Sequence, residues 1–202
     1  MNKSYLSQYP SQQGKVVIVT GSNSGIGFET ALQLAKKDMK VVLACKRPDA
    51  AGSARDKILK SHPTAQVTPM KLDLSSLNDV RRFAEDFQSH FDRLDLLINN
   101  AGIMMSPYKE TVDGFENQLA SNFIGHFALT GLLMQRLLNT PDSRVITLSS
   151  LSYKWAPINF NDLNFKNGYN KKKAYGQSKR ACLVFAYELN RRLSSTAGTT
   201  IS

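Results

Sequence analysis

Val16, Val17, Ile18, Val19 and Thr20 make five consecutive apolar or β-branched residues without a charge, and Gly21, Gly25 and Gly27 follow at once, interleaved with Ser22, Asn23, Ser24 and Ile26. An uncharged run bounded by glycines has the pattern of a strand covered on both faces, as in the middle of a parallel sheet. A helical pattern begins at Ile26, so strand, glycine turn and helix N-terminus come in immediate succession. That order gathers backbone N–H groups and the positive end of a helix at one place. Such a place is an anion site, and its usual occupant is a nucleotide pyrophosphate. The spacing Gly-x-x-x-Gly-x-Gly differs from the commoner Gly-x-Gly-x-x-Gly, so the loop alone leaves open a tight turn without a ligand.

The rest of the chain repeats the alternation. Gly27, Ala31, Leu34 and Ala35 share one helical face. Strands are predicted at 40–45, 66–72, 94–99 and 144–148. Helices are predicted at 50–61, after the capping box Ser76-x-x-Asp79, over 111–140, and over 174–195. The 111–140 helix is apolar on more than one side through Phe123, Phe127, Leu129, Leu132 and Leu133, which suggests burial on two faces and a homodimer or tetramer through the fourth and fifth helices. Residues 199–202 look like the opening of a sixth strand. Strands alternating with helices imply an α/β fold with a doubly wound, Rossmann-like parallel sheet.

Composition narrows the classes. The 202 residues suit one sizeable domain, and 42% hydrophobic with 21% charged residues is ordinary for a globular chain. No apolar run reaches the ~20 residues that span a bilayer. Residues 1–14 lack a signal-peptide pattern and read as a flexible lead-in to a domain over 15–202. Cys45 and Cys182 form neither a metal spacing nor a disulfide framework, so no metal is expected and the setting is read as reducing and cytoplasmic. The formal charge of +10 concentrates at Lys166, Lys171, Lys172, Lys173, Lys179 and Arg180. No aromatic-interleaved or helix-turn-helix pattern accompanies it, so it reads as a solvated basic face that favours an anionic cofactor, not as a nucleic-acid site.

Three further places carry chemistry. After the second strand come Cys45, Lys46 and Arg47 with no acid before Asp49; cations there suit the 2′-phosphate of NADP(H), whereas an acid would suit NAD(H). Tyr175 and Lys179 are four apart, on the helical face that continues through Cys182, Ala186, Leu189 and Leu193 toward the sheet. An ammonium beside a phenol favours phenolate, which makes Tyr175 a usable proton donor or acceptor toward a carbonyl or carbinol oxygen. Ser150 ends the fifth strand at the same sheet edge, either bonding that oxygen or capping a turn. Asn122 lies inside a helix, where a buried amide needs partners and serves as a clamp or as part of a polar relay. His126, one turn on, reads as a satisfied core histidine.

Together these residues resemble one family. Thr20-Gly21-Ser22-Asn23-Ser24-Gly25-Ile26-Gly27, Asp73-Leu74, Asn99-Asn100-Ala101-Gly102, Asn122, Ser150 and Tyr175-Gly176-Gln177-Ser178-Lys179 look like the short-chain dehydrogenases/reductases, in order and over nearly the whole chain. Ala44-Cys45, the run Asn122-Phe123-Ile124-Gly125-His126-Phe127 and the long interval from Ser150 to Tyr175 are similar to its retinol dehydrogenase-like and WW-domain oxidoreductase-like branch. Light-dependent protochlorophyllide reductase is similar at several of these places.

The resemblance implies an NADP(H)-dependent oxidoreductase acting on a small or lipid-like carbonyl or alcohol. Tyr175 would be the general acid/base, Lys179 would hold the nicotinamide ribose and lower the pKa of Tyr175, Ser150 would orient the substrate oxygen, and Asn122 would anchor a relay water. Gly21 to Gly27, Lys46, Arg47, Asp73, Leu74, Asn99, Ala101 and Gly102 would line the cofactor, with Asp73 at the adenine. Family members continue through a sixth strand, a Pro-Gly turn, a substrate-binding segment and a seventh strand. A truncated chain that binds a nucleotide or partner without turnover is therefore the competing expectation, and a pigment reductase is a third.

Overall fold

Five strands, β1 (Val16–Thr20), β2 (Lys40–Cys45), β3 (Val67–Lys71), β4 (Leu96–Asn99) and β5 (Arg144–Thr147), pair in parallel in the order β3-β2-β1-β4-β5. This is the expected doubly wound, Rossmann-like sheet. The computed structural model describes residues 10–193. The glycine-flanked strand is central, with Ile18 paired to Val42 on one side and Leu97 on the other. Val17, Ile18 and Val19 are wholly buried, because helices cover both faces. One face packs Ile18, Val42, Leu97 and Val145 against Phe83, Phe87, Leu129 and Leu133; the other packs Val17, Val19 and Leu43 against Ala31, Ala35 and Ile58. Pro69 sits in β3 because that strand is an edge of the sheet, where a missing N–H is tolerated. Asp95, itself buried, ties the strand starts together: its carboxylate accepts from the Val16 N–H at 2.8 Å and from Arg93 at 2.6 Å.

The early helices follow the sequence reading, with α1 at Gly25–Ala35, α2 at Pro48–Ser61 and α3 at Leu77–His90. Ser76 caps α3 by accepting from the Asp79 N–H. Residues 10–14 lie against the α1–β2 turn, where the Gln12 N–H donates to Lys37 O at 2.7 Å and Ser11 Oγ to Asp38 Oδ2 at 2.6 Å. Residues 1–9, and the strand anticipated at 199–202, fall outside the described residues.

The single helix expected over 111–140 is instead a series of short segments. Residues 111–116 form a turn closed by a bridge between Glu110 and Glu116, with Gly114 in the left-handed region at φ +80°. Helix α4 (Asn117–Leu119) then starts, because the Glu116 carboxylate accepts from the Gln118 and Leu119 N–H groups. It runs into a π turn (Ala120–Ile124), α5 (Gly125–Leu132) and, past a break at Leu133 (φ −95°, ψ 1°), α6 (Met134–Leu138). The apolar surround is also incomplete: Phe127 and Leu132 on α5 are exposed.

After β5 comes a 3-10 turn (Leu151–Trp155), and the last helix, α7 (Lys171–Leu193), starts three residues earlier than anticipated. The Asn170 carboxamide oxygen accepts from the Lys172 and Lys173 N–H groups, which sets that start. No helix among the described residues is long and apolar enough to cross a membrane.

Candidate cofactor cleft and catalytic helix

The carboxyl ends of β1, β2, β3 and β4 open into a cleft of 480 Å³ lined by Gly21, Asn23, Ser24, Ile26, Gly27, Lys46, Asp73, Leu74, Ala101 and Gly102, among others. Gly21 has φ +64°, and a Cβ there would lie 2.9 Å from the Ala101 Cα. Only glycine fits a left-handed turn pressed against a neighbouring loop. At Gly27 an added Cβ would fall on the Asn100 amide and the Gly21 carbonyl. The two glycines let the start of α1 line the cleft at Ser24, Ile26 and Gly27, where a helix N-terminus suits an anion.

Other anticipated cofactor residues occupy different places. Ser22 is fully buried, with its hydroxyl 3.5 Å from Cys45 Sγ. Gly25, at φ +57°, shapes the loop without lining the cleft. Asn99 lies beneath the floor, its amide nitrogen donating to Thr130 Oγ1 at 3.2 Å and Thr147 Oγ1 at 3.3 Å. Arg47 is exposed at the start of α2 and is not among the lining residues. Lys46 reaches across the mouth to Asp73, Nζ to Oδ2 at 2.8 Å. Partial burial pushes the Asp73 carboxyl up, but hydrogen bonds from Lys46 and Ser75 outweigh it and hold the group below the usual carboxylate value.

The basic cluster does not form one solvated face. Lys179 is buried, 6% exposed, and its ammonium donates to Leu148 O at 3.0 Å at the end of β5. Burial pushes its pKa below the ordinary lysine value. Arg180 bonds the Tyr153 carbonyl, and Lys172 lies over the Trp155 ring. Lys179 was read as surface charge because its neighbours are lysines; its spacing from Tyr175 correctly placed it inside.

Tyr175 is 9% exposed, with the Lys179 ammonium 6.0 Å from its ring centre and the Trp155 ring 6.1 Å away. Ser150 caps the 3-10 turn, accepting from the Ser152 N–H at 3.2 Å while donating to Ser152 Oγ at 3.0 Å. Its neighbour Ser149 donates to Lys179 O at 2.8 Å, which fastens the end of β5 to α7 at the lysine. Asn122, in the π turn, accepts from the Ile103 N–H at 2.8 Å and donates to Ile103 O at 3.0 Å and Ser178 Oγ at 2.9 Å. Its amide is a fully committed clamp between the loop after β4 and α7. A Cβ at Gly102 would lie 3.3 Å from Asn122 Oδ1 and 3.5 Å from Lys179 Nζ. The lysine therefore adjoins the cleft wall at Gly102, while Asn122, Ser150, Tyr175 and Lys179 are not themselves among the lining residues.

Comparison with known proteins gives the family and agrees with the fold. A family profile described as short chain dehydrogenase matches residues 15–201. The chain belongs to the short-chain dehydrogenase family. This dehydrogenase chain is 45% identical to retinol dehydrogenase 12 of Mus musculus over 186 residues, 92% of its own length and 59% of the relative's. It is 44% identical to retinol dehydrogenase 11 of Mus musculus over 94% of the chain and 60% of the relative. The chain thus spans about three fifths of the length of these relatives. A crystal structure of an uncharacterised protein from Mycobacterium paratuberculosis superposes with a TM-score of 0.85 at 41% identity, covering 97% of this chain and 68% of that one. An NADP active-site complex of RhlG from Pseudomonas aeruginosa does so with a TM-score of 0.71 at 26% identity, over 91% and 68% of the two chains.

The cleft has further lining residues that were not singled out as cofactor contacts: Ala44, Leu72, Asn100, Ile103, Asn117 and Ser121. Asn100 was visible inside the Asn-Asn-Ala-Gly motif, but its task was not. Its amide donates to Thr20 O at 2.7 Å, closing the glycine turn. Nothing in the local sequence marks Ile103, Asn117 or Ser121; Ile103 and Ser121 reach the cleft because the Asn122 clamp draws the loop after β4 and the π turn together, and Asn117 because α4 leads directly into that turn.

Proposed function

We propose that this chain is an NADP(H)-dependent oxidoreductase interconverting a carbonyl and an alcohol on a small or lipid-like substrate. The observation that carries the reading is the continuity of the two halves. The glycine cleft that fits a dinucleotide pyrophosphate meets a buried Tyr175–Lys179 pair through Gly102. The residues fit the cofactor: Gly21 and Gly27, where an added Cβ would strike Ala101, Asn100 or the Gly21 carbonyl, keep the turn tight enough for the start of α1 to line the cleft. Gly21, Asn23, Ser24 and Ile26 would hold the pyrophosphate, and Asp73 and Leu74 the adenine. Lys46 would turn from Asp73 to a 2′-phosphate, with Arg47 adding charge from the rim. When bound, the cofactor supplies the hydride.

Tyr175 passes its phenolic proton to the substrate oxygen in reduction and takes it back in oxidation. Lys179 in its ammonium form favours the phenolate and holds the nicotinamide ribose. Ser150 donates to the same substrate oxygen by turning from Ser152. Asn122 acts as the clamp that sets Ile103 and Ser178, and its turn would place the relay water. The NADP complex of the Pseudomonas relative and the retinol dehydrogenase relatives support the cofactor and the lipid-like substrate class.

Two further parts of the reading are pairing and setting. Exposed Phe127 stacks edge-on to Phe185 at 5.5 Å, and exposed Val184 and Tyr187 extend that apolar face along α7, which supports a homodimer through α5 and α7. Two free, buried cysteines support a reducing, cytoplasmic setting.

Titration of the purified chain with NADPH and NADH, followed by cofactor fluorescence, tests the first step. NADPH is expected to bind more tightly. Binding of neither would overturn the reading, and tighter NADH binding would overturn the assignment to Lys46 and Arg47.

A further inference from the structure

His126 is held through both ring nitrogens, directly behind the junction of cleft and catalytic helix. It is 2% exposed, with Nδ1 2.9 Å from the Asn122 carbonyl oxygen and Nε2 2.9 Å from Thr20 Oγ1. A carbonyl oxygen can only accept, so the ring proton sits on Nδ1. Burial, helped by the Lys179 charge, pushes the ring's pKa down to about 4, so it is neutral near physiological pH and Nε2 is an acceptor. Thr20 Oγ1 accepts from the Asn100 and Ala101 N–H groups, both at 2.9 Å, and those two bonds commit its lone pairs. Its proton is left for Nε2, since the other acceptor in reach, Ile98 O, is farther away at 3.3 Å.

Every donor and acceptor in this chain of bonds therefore has one consistent role, running from Asn100 and Ala101 through Thr20 and His126 to Asn122. At one end, Asn100 and Ala101 line the cleft and Thr20 leads into Gly21. At the other, the Asn122 carbonyl also accepts from Cys182 Sγ at 3.2 Å, on the α7 face that carries Tyr175 and Lys179. We infer that His126 is a positioning residue: as a neutral Nδ1–H imidazole it holds the cofactor-side turns in register with the Asn122 turn and the catalytic helix. The inference rests on the oxidoreductase reading for its functional half, whereas the bond chain is independent of that reading.

Two measurements test it separately. Histidine ¹⁵N spectra of the full chain resolve His126 from His62 and His90, neither of which is buried. One ring is expected in the Nδ1–H form without titration between about pH 5 and 8, and its signal should vanish in His126→Asn. An Nε2–H ring, or titration near the ordinary value of about 6.5, would overturn the inference. Backbone amide shifts should change at Asn100–Ala101 in His126→Asn and at Ile103 in His126→Gln. The reverse pattern, or no change at either end, would contradict the coupling.

The functional arm uses the side-chain reach of two replacements. His126→Asn keeps a donor near the Nδ1 position and releases Thr20, so the NADPH dissociation constant should rise ~10-fold with kcat within about twofold. His126→Gln reaches Thr20 and releases Asn122, so kcat should fall ~10-fold with affinity within about twofold. Thr20→Val also strips the acceptor from the Asn100 and Ala101 N–H groups, so it should weaken NADPH binding more than His126→Asn does, and His126→Asn should add little on top of it, while Thr20→Ser restores wild-type values. Equal changes in both parameters that track the melting temperature would reduce His126 to a core histidine. Absence of turnover in the wild-type chain would sink the oxidoreductase reading and leave the spectra to decide the bond chain.

Discussion

The Lys179 ammonium donates to the Leu148 carbonyl at 3.0 Å, which places a buried cation of α7 at the carboxyl end of β5. Burying that charge costs stability, because its folded pKa lies below the unfolded one. The cost is fully present below the folded pKa and is relieved as pH rises from there toward the ordinary value of about 10.4. Lys179→Met should therefore melt at or above the wild-type temperature at pH 7 while losing activity. Its stability advantage should shrink as pH rises through that window. A variant much less stable than wild type at pH 7 would contradict this, and thermal unfolding across pH checks it.

Lys46 faces a choice of anions. It pairs with Asp73 at 2.8 Å while 64% of its side chain remains exposed, so it is free to turn toward a phosphate at the cleft mouth. Lys46→Ala should weaken NADPH binding ~10-fold and leave NADH within about twofold. Fluorescence titration of both cofactors reads the ratio, and equal losses for both would remove Lys46 from the selectivity.

Gly176 lets the 3-10 turn lie directly on α7. A Cβ there would come within 2.9 Å of both the Ser152 carbonyl oxygen and the Trp155 Cβ. Gly176→Ala must displace the turn that Ser150 caps and that carries Trp155 against Tyr175, at a cost of about 1–3 kcal/mol. For a chain of this size that lowers the melting temperature by roughly 2–4 °C per kcal/mol. Calorimetry and turnover should fall together, and an unchanged melting temperature would show that the turn is not tightly seated.

The strands and the glycine turn were legible because uncharged β-branched runs and closely spaced glycines have few alternative uses. The helix expected over 111–140 was not, since its apolar spacing is real only from Leu119 onward. Gly114 and the Glu116 carboxylate, which set the start, act through backbone geometry that periodicity does not register. The π turn at Asn122 depends on bonds to Ile103 and Ser178, 19 and 56 residues away, and no local window contains them. The inward placement of Tyr175 and Lys179 was legible from their spacing, whereas the part inferred for His126 needed the distance to Thr20, 106 residues earlier.

The outward faces of α5 and α7 carry the proposed pairing. Phe127 is 56% exposed and Tyr187 72%, beside the ring of Phe185. Phe127→Glu places a charge in that face and should convert a dimer to monomer, because an unpaired charge is costly in an interface core. Light scattering across concentration decides it. A wild-type chain that stays monomeric at every concentration would contradict the pairing.

Tyr175 carries the central claim. Turnover of a panel of aldehydes and ketones with NADPH should fall by about 10²–10⁴-fold in Tyr175→Phe. NADPH affinity and melting temperature should stay near the wild-type values. A wild-type rate in Tyr175→Phe, with cofactor still bound, would contradict the account.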